Sequence, residues 1–380
     1  MRKYRTRLIP FVLLLLVVMP PAIHAQDDIA TPPVEDDPTN HPRQVFLDRS
    51  VDTTGIDRLI FIDSLTGEET FVEAYGERYT LLNDAVLFYD LARSRVMLAT
   101  PDGTLREHPF IQPNIETRRV DWVVSDSGSH IAWTLTNADE NGLLTTITNI
   151  ATIDGDDARR VLVDGPYADG FRALPLAFDN DLTTLYMDLH LDGLNDRMPF
   201  NQYVRLFALD LATGETQSLP GEDTQVCICG ADVSAGLFVR LGLSVPQNGF
   251  DVYVYDLNGD VQHNIEALGL RGYTNAGDVL ISSDGRYAIY ALVQINNFGT
   301  PQQTTRTVFA LVDLASMTQV PLTTPITTIV RPVRWTEDNT AVIFTSPNQD
   351  GTWKVALNDG RLERIATATF LGTLSTYNNS

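Results

Sequence analysis

Residues Leu206–Pro220 read LFALDLATGETQSLP. An alternating apolar run leads into a turn at Thr213-Gly214, and a second alternating run follows. Six other stretches share the design: Leu59–Val72, Val96–Phe110, Thr145–Leu162, Val252–Ile265, Thr307–Leu322 and Trp353–Ala366. Period-2 alternation puts one face of each strand into a core and the other towards water or a neighbouring sheet. Asp, Asn, Gly and Ser between the runs supply the backbone angles of a tight turn. Each copy therefore reads as a β-hairpin.

A second unit precedes most copies, at Val120–Leu135, Pro175–Leu189, Val279–Val293 and Val333–Pro347. It is an apolar strand, a polar turn at Ser127-Gly128, Asp181, Asp284-Gly285 or Asp338-Asn339, and another strand. Two hairpins make a four-stranded antiparallel sheet. The first set of hairpins begins near residues 59, 96, 145, 204, 252, 307 and 353. Four short strands repeating at about 50 residues predict an all-β chain folded as a β-propeller, with seven four-stranded blades or six. Two adjacent β-sandwiches rank second, because a sandwich does not require the same double hairpin at every step. Little precedes Leu59, so the first blade lacks strands; Thr369–Thr376 or Val45–Asp48 would complete it and close the ring.

The units Trp122…Ser125-Asp126-Ser127-Gly128…Ile131-Ala132-Trp133 and Trp335…Asp338…Val342-Ile343-Phe344-Thr345-Ser346 resemble the repeats of TolB-like, WD-type β-propellers. Those repeats run apolar-aromatic, Ser-Pro-Asp-Gly, then Ile-Ala-Phe. The proline is missing from all four units here. Residues 26–58 are too few for the separate α/β domain of TolB itself, so the resemblance is at the level of the repeat and implies fold rather than activity.

The N-terminus carries Arg2, Lys3, Arg5 and Arg7, then the apolar run Leu8–Met19, then small residues up to Ala25. This is the layout of a secretory signal peptide over residues 1–25, and it predicts an extracytoplasmic protein, secreted or periplasmic. The run is too short for a membrane-spanning helix, which leaves no stable membrane span after cleavage. Cleavage would remove four positive charges and no acids, taking the net charge from −22 to −26. Such an acidic domain repels nucleic acid. Residues 26–44, rich in Pro and acid, read as a flexible tether, and 45–380 as a single propeller domain.

Local catalytic motifs are missing. No G-x-S-x-G nucleophile elbow occurs, and Trp133 lies too far beyond Gly128 for a sialidase Asp box. The histidines after the signal segment, His41, His108, His130, His190 and His263, are too dispersed for a local zinc motif. Asp188, Asp192, Asn195 and Asp196 place oxygens around Gly193 as a calcium loop would, although His190 interrupts them and Pro199 stands where a bidentate Glu belongs. Cys227 and Cys229 are the only cysteines. In an extended strand their Cα atoms would be ~6.5–7 Å apart, at the limit of disulfide reach, so two buried thiols rank slightly above a C-x-C disulfide.

These features predict an exported, non-catalytic binding or scaffold module taking a protein, peptide or glycan at the axial mouth, with no cofactor unless calcium binds. The alternative is a carbohydrate-active hydrolase or lyase whose site is assembled from blade loops. The segments that do not recur, Asp188–Asn201, Cys227–Gly230 and Asn296–Thr305, are where function is expected.

Overall fold

The computed structural model describes residues 41–49, 55–195, 198–224, 227–244, 249–257 and 262–375. The expected signal peptide and tether residues 26–40 lie outside the described residues. Arg43 and Gln44, the last residues read as tether, open the first strand.

Seven four-stranded antiparallel sheets form a ring. Blade 1 contains β1 (Arg43–Arg49), β2 (Asp57–Asp63) and β3 (Glu69–Ala74). Blade 2 contains β4 (Gly76–Leu81), β5 (Val86–Asp90), β6 (Arg95–Ala99) and β7 (Leu105–Glu107). Blade 3 contains β8 (Thr117–Val124), β9 (His130–Ala138), β10 (Leu144–Thr152) and β11 (Arg159–Tyr167). Blade 4 contains β12 (Phe171–Phe178), β13 (Thr184–Leu191), β14 (Leu206–Asp210) and β15 (Thr216–Ser218). Blade 5 contains β16 (Ala231–Ser234), β17 (Leu237–Ser244), β18 (Gly249–Asp256) and β19 (Gln262–Ile265). Blade 6 contains β20 (Asn275–Ile281), β21 (Tyr287–Asn296), β22 (Thr304–Asp313) and β23 (Thr318–Pro321). Blade 7 contains β24 (Arg331–Trp335), β25 (Ala341–Ser346), β26 (Gln349–Ala356) and β27 (Leu362–Ala366). The chain then returns to blade 1, where β28 (Thr369–Leu374) pairs with β1 as its fourth strand. Both segments expected to complete the first blade are therefore used. Among the described residues the helical structure is one 3-10 turn at Glu222–Thr224, and no helix is long and apolar enough to cross a membrane.

The recurring stretch is explained by its turn. Asp210 Oδ1 accepts the N–H groups of Ala212 and Thr213, and Gly214 takes a positive φ of 77°. The Thr213 N–H holds the Asp210 carboxyl below its ordinary range. Asp63 and Asp313 cap their own turns in the same way. The strand before the turn has two apolar faces: Leu206 is buried against blade 5 and Leu209 against blade 3. That is why its alternation looks incomplete.

Apolar clusters fill six of the seven seams between blades, for example Val45, Phe61 and Phe88 between blades 1 and 2. At the seventh, between blades 7 and 1, Arg334 lies over the ring of Phe370 at 4.5 Å. The innermost strands β4, β8, β12, β20, β24 and β28 each shift register against their neighbour. Such bulges bend and twist a strand, as crowding around an axis demands.

Ending the chain at Ala368 would strip blade 1 of β28 and expose the β1 edge. A lowered urea midpoint, or loss of a single cooperative transition, is expected; an unchanged transition would show that β28 does not close the ring.

Candidate functional site

A four-stranded meander puts its first and third turns at one end, the turn face, and its middle connection at the other, the loop face. The axial channel therefore has two mouths, and they differ.

At the loop face, the described residues 192–195 and 198–205 of blade 4 belong to a strap that reaches blade 6. Tyr203 donates its N–H to Cys229 O at 3.0 Å, ahead of β16. Asn201 donates its N–H to Asp278 Oδ1 in β20 at 2.8 Å. Phe200, 1% exposed, is buried with Ile289, Phe309 and Phe344 in the seam between blades 6 and 7. Arg331 of β24 clasps Asp278 through Nε and Nη2 at 2.6 and 2.7 Å, tying the strap's anchor to blade 7. At the root of the strap, Asp188 Oδ1 accepts the N–H groups of Val204 and Arg205, both at 3.0 Å. The strap thus runs at the loop face from blade 4 past the start of blade 5 to blade 6.

Close backbone approach makes room for it. A Cβ on Gly277 would lie 2.7 Å from both Asn201 O and Phe200 Cβ, and one on Gly230 would lie 2.6 Å from Gly277 Cα. Beside these glycines Cys227 and Cys229 are joined by a disulfide, with Cα atoms 5.5 Å apart. The spacing expected of an extended strand does not apply, because Cys227 precedes β16 in a bend. The expectation of two thiols is thereby corrected. Arg240, fully buried, donates to Cys229 O and Tyr203 O, and its Nε lies 3.2 Å from Glu222 Oε1. Burial pushes the Glu222 carboxyl up, while Arg240 opposes this. A buried charge of this kind needs its partner and its carbonyls, since losing one strands the other.

The turn-face mouth is open. A cavity of about 1920 Å³ is lined by Asp126 of blade 3, Ser234 of blade 5, Tyr287 of blade 6, Val333 and Trp335 of blade 7 and Thr373 of blade 1. A second, of about 800 Å³, shares Asp126 and Val333 and adds Trp122 and Leu81. Contributions from blades on opposite sides of the ring place both cavities at the axis. Below the mouth, Asp232 of β16 accepts the N–H groups of Ile281 and Val233. Enclosure by protein pushes its carboxyl up to about 6, the two N–H groups oppose the shift, and Asp126 adds a small repulsion. Asp121 of β8 collects Arg78 of β4, Arg119 and Arg172 of β12. Burial opposes its ionisation, yet the three arginines together hold its carboxyl below the ordinary range.

The four oxygens of the calcium-loop pattern are assigned as follows. Asp188 faces its own strap and His190, whose Nδ1 is 2.9 Å from Oδ2. Asp192 lies 3.2 Å from Arg172, and Asn195 Oδ1 accepts the Gln202 N–H at 3.0 Å. Asp196 lies outside the described residues. Among the described residues no three His, Cys, Asp or Glu side chains gather as a metal site. His41 pairs with Asp63, and His130 Nδ1 meets Ser129 Oγ. His108, 2% exposed, accepts the Ile111 N–H through Nδ1 and packs edge-on against Phe110. Burial, with a smaller contribution from Arg106, lowers it to about 4. Of the non-recurring segments, Asp188–Asn201 and Cys227–Gly230 meet at the strap. Asn296–Thr305 instead joins β21 to β22 and carries Phe298, 76% exposed. Sequence reasoning missed Phe200 as an anchor; its one signal is a large apolar residue inside an otherwise polar insertion.

No family model and no curated protein matches the chain. Solved structures do. A prolyl endopeptidase is 11% identical, covering 88% of this chain and 50% of its own, with a TM-score of 0.59. The chain thus spans half the length of that enzyme. An oligogalacturonate lyase in complex with manganese is 11% identical over 87% of this chain and 86% of its own, at a TM-score of 0.49. TolB from Acinetobacter baumannii is 10% identical over 87% and 81%, at 0.45. At these identities the likeness is one of fold. The chain is a seven-bladed β-propeller.

Phe200→Ala would empty the anchor site and cost about 3–5 kcal/mol in urea unfolding. A loss below about 1 kcal/mol would show that the strap does not depend on it. His108 makes stability fall with acid. Its proton affinity is lower folded than unfolded, so its contribution is complete above about pH 6.5, declines as pH falls and levels off near 4. Wild type should lose about 3 kcal/mol more than His108→Asn across that interval. Parallel pH profiles for the two proteins would refute this assignment.

Proposed function

We propose that this protein is an exported, non-catalytic binding module whose ligand, a protein, peptide or glycan, enters the turn-face mouth. One observation carries the reading: the turn-face end opens into a large cavity lined by residues from several blades, while at the loop face the strap binds blades 4, 5 and 6 together. A rigid ring with an open end presents a fixed set of unlike side chains, which suits recognition. The basic, apolar and small-residue segments of residues 1–25 support export, and a disulfide is in keeping with an oxidising compartment. Among the lining residues there are acids but no histidine.

A carbohydrate-active hydrolase or lyase is the second reading. It rests on Asp232, whose raised carboxyl titrates where a general acid would be useful. Against it, both Asp232 oxygens already accept backbone N–H groups.

The test is selection from a peptide-phage library and a glycan array, using wild type, a mouth-filling Ser234→Trp variant and a loop-face control, Thr300→Trp. Ligands should be lost with Ser234→Trp, kept with Thr300→Trp and recovered at unchanged mass. Shortened or unsaturated glycans would favour the enzyme, and ligands indifferent to Ser234→Trp would move the site elsewhere.

A further inference from the structure

Two arginines, Arg172 and Arg240, are fully buried, and they are held differently. Arg240 donates to two backbone carbonyls and faces Glu222. Arg172 meets only carboxylates among the described residues. Its Nη1 lies 3.5 Å from Asp121 Oδ2, and its Nη2 lies 3.2 Å from Asp192 Oδ1. Neither Nε nor Nη2 completes a hydrogen bond among the described residues. Burial holds this guanidinium below its ordinary range; Asp121 opposes the shift and Arg119 adds to it. A buried guanidinium ordinarily has its donors bonded, so this one is set up for a further acceptor.

The carboxylates around Arg172 are shared or loosely held. Asp121 is divided among Arg78, Arg119 and Arg172. The three guanidinium groups therefore meet at one carboxylate, on the innermost strands of blades 2, 3 and 4. Arg119 donates to Asp121 through Nε, and its side chain is 30% exposed, so the cluster reaches solvent. Asp192 is the first residue after β13, at the loop face. Its side chain is 47% exposed, yet Oδ1 touches the fully buried Arg172. One carboxylate thus spans the way from solvent to Arg172, and another of similar size can follow the same route. The Asp192 N–H is bonded to Gly170 O, so rotating the side chain clears the route without moving the backbone.

Charge and shape select the class of anion. Arg78, Arg119 and Arg172 stand against Asp121, Asp192 and Glu77, which lies 3.6 Å from Arg78. A monoanion that takes the place of Asp192 keeps this balance, whereas a dianion adds an uncompensated charge. A planar carboxylate matches the guanidinium fork.

We infer that Arg172 and Arg119 form a carboxylate-binding site at the loop-face end of the channel wall, with the Asp192 side chain as the intramolecular carboxylate that a ligand displaces. The site is separate from the turn-face mouth and does not depend on the binding-module reading.

The test is calorimetric titration of the full chain with acetylglycylglycine, the same peptide as its amide, glucuronate and inorganic phosphate. The peptide acid should bind and its amide should not. Asp192→Asn, which removes the internal competitor, should tighten binding by about tenfold. Arg119→Gln should weaken it by about tenfold, the loss of one charge-assisted pair. Arg119→Lys, which keeps the charge without the fork, should weaken it less. Whether the peptide acid or glucuronate binds more tightly identifies the source of the carboxylate. Circular dichroism and melting establish that each variant is folded, and Arg119→Gln, at a part-exposed position, decides the matter if Asp192→Asn is not. A purely structural Asp192 predicts a different result: Asp192→Asn would lose stability and gain no affinity. That result, binding indifferent to Arg119→Gln, or phosphate binding as tightly as the carboxylates would overturn the site. Ligands selected at the turn-face mouth would be unaffected by either outcome.

Discussion

The pairing of β28 with β1 is the constraint on which the rest depends. Seven sheets packed side by side leave two exposed ends unless the first and last meet, and an open edge templates aggregation. Drawing the C-terminal strand into the N-terminal blade makes the ring one cooperative object. It also brings Phe370 beneath Arg334, so a cation–ring contact joins blade 7 to blade 1 at the seam that closes the ring.

Even a ring of identical blades has two unlike mouths, with tight turns at one and the middle connections at the other. The strap adds to that difference. Its hold combines one aromatic side chain sunk between blades 6 and 7, an aspartate clasped by Arg331, and two glycines that let the backbones approach. Buried ion pairs such as Glu222–Arg240 add little net stability but penalise other arrangements, because misplacing one partner leaves a desolvated charge. The disulfide works in the same region, fixing the chain beside β16 where the strap crosses it.

Legibility followed locality. The seven outer hairpins and four of the inner ones could be read from alternation and turn residues, because strand period and turn chemistry are properties of adjacent residues. Asp210, Thr213 and Gly214 show this: three positions apart by no more than four residues define the turn. The calcium-like pattern misled because spacing alone cannot say which way an oxygen faces. Asp188 turns to its own strap and Asp192 to Arg172. Likewise Cys227 and Cys229 were judged by strand geometry that the chain does not adopt there.

By itself, the sequence determined the all-β class, the double-hairpin repeat, a blade count of seven or six and the two alternative segments able to complete the first blade. These follow from periodicities of two and about fifty residues, which no distant contact has to supply. Only the tertiary structure decided that the strap from blade 4 reaches blade 6, that Phe200 anchors it, and that Arg334 of blade 7 lies over Phe370 of blade 1. Those facts join residues from blades 4 and 6, or from blades 7 and 1, at separations where side-chain identity carries no local signal. The physical reason is that an axial channel is built from one strand of every blade, so its chemistry exists only once the ring has closed.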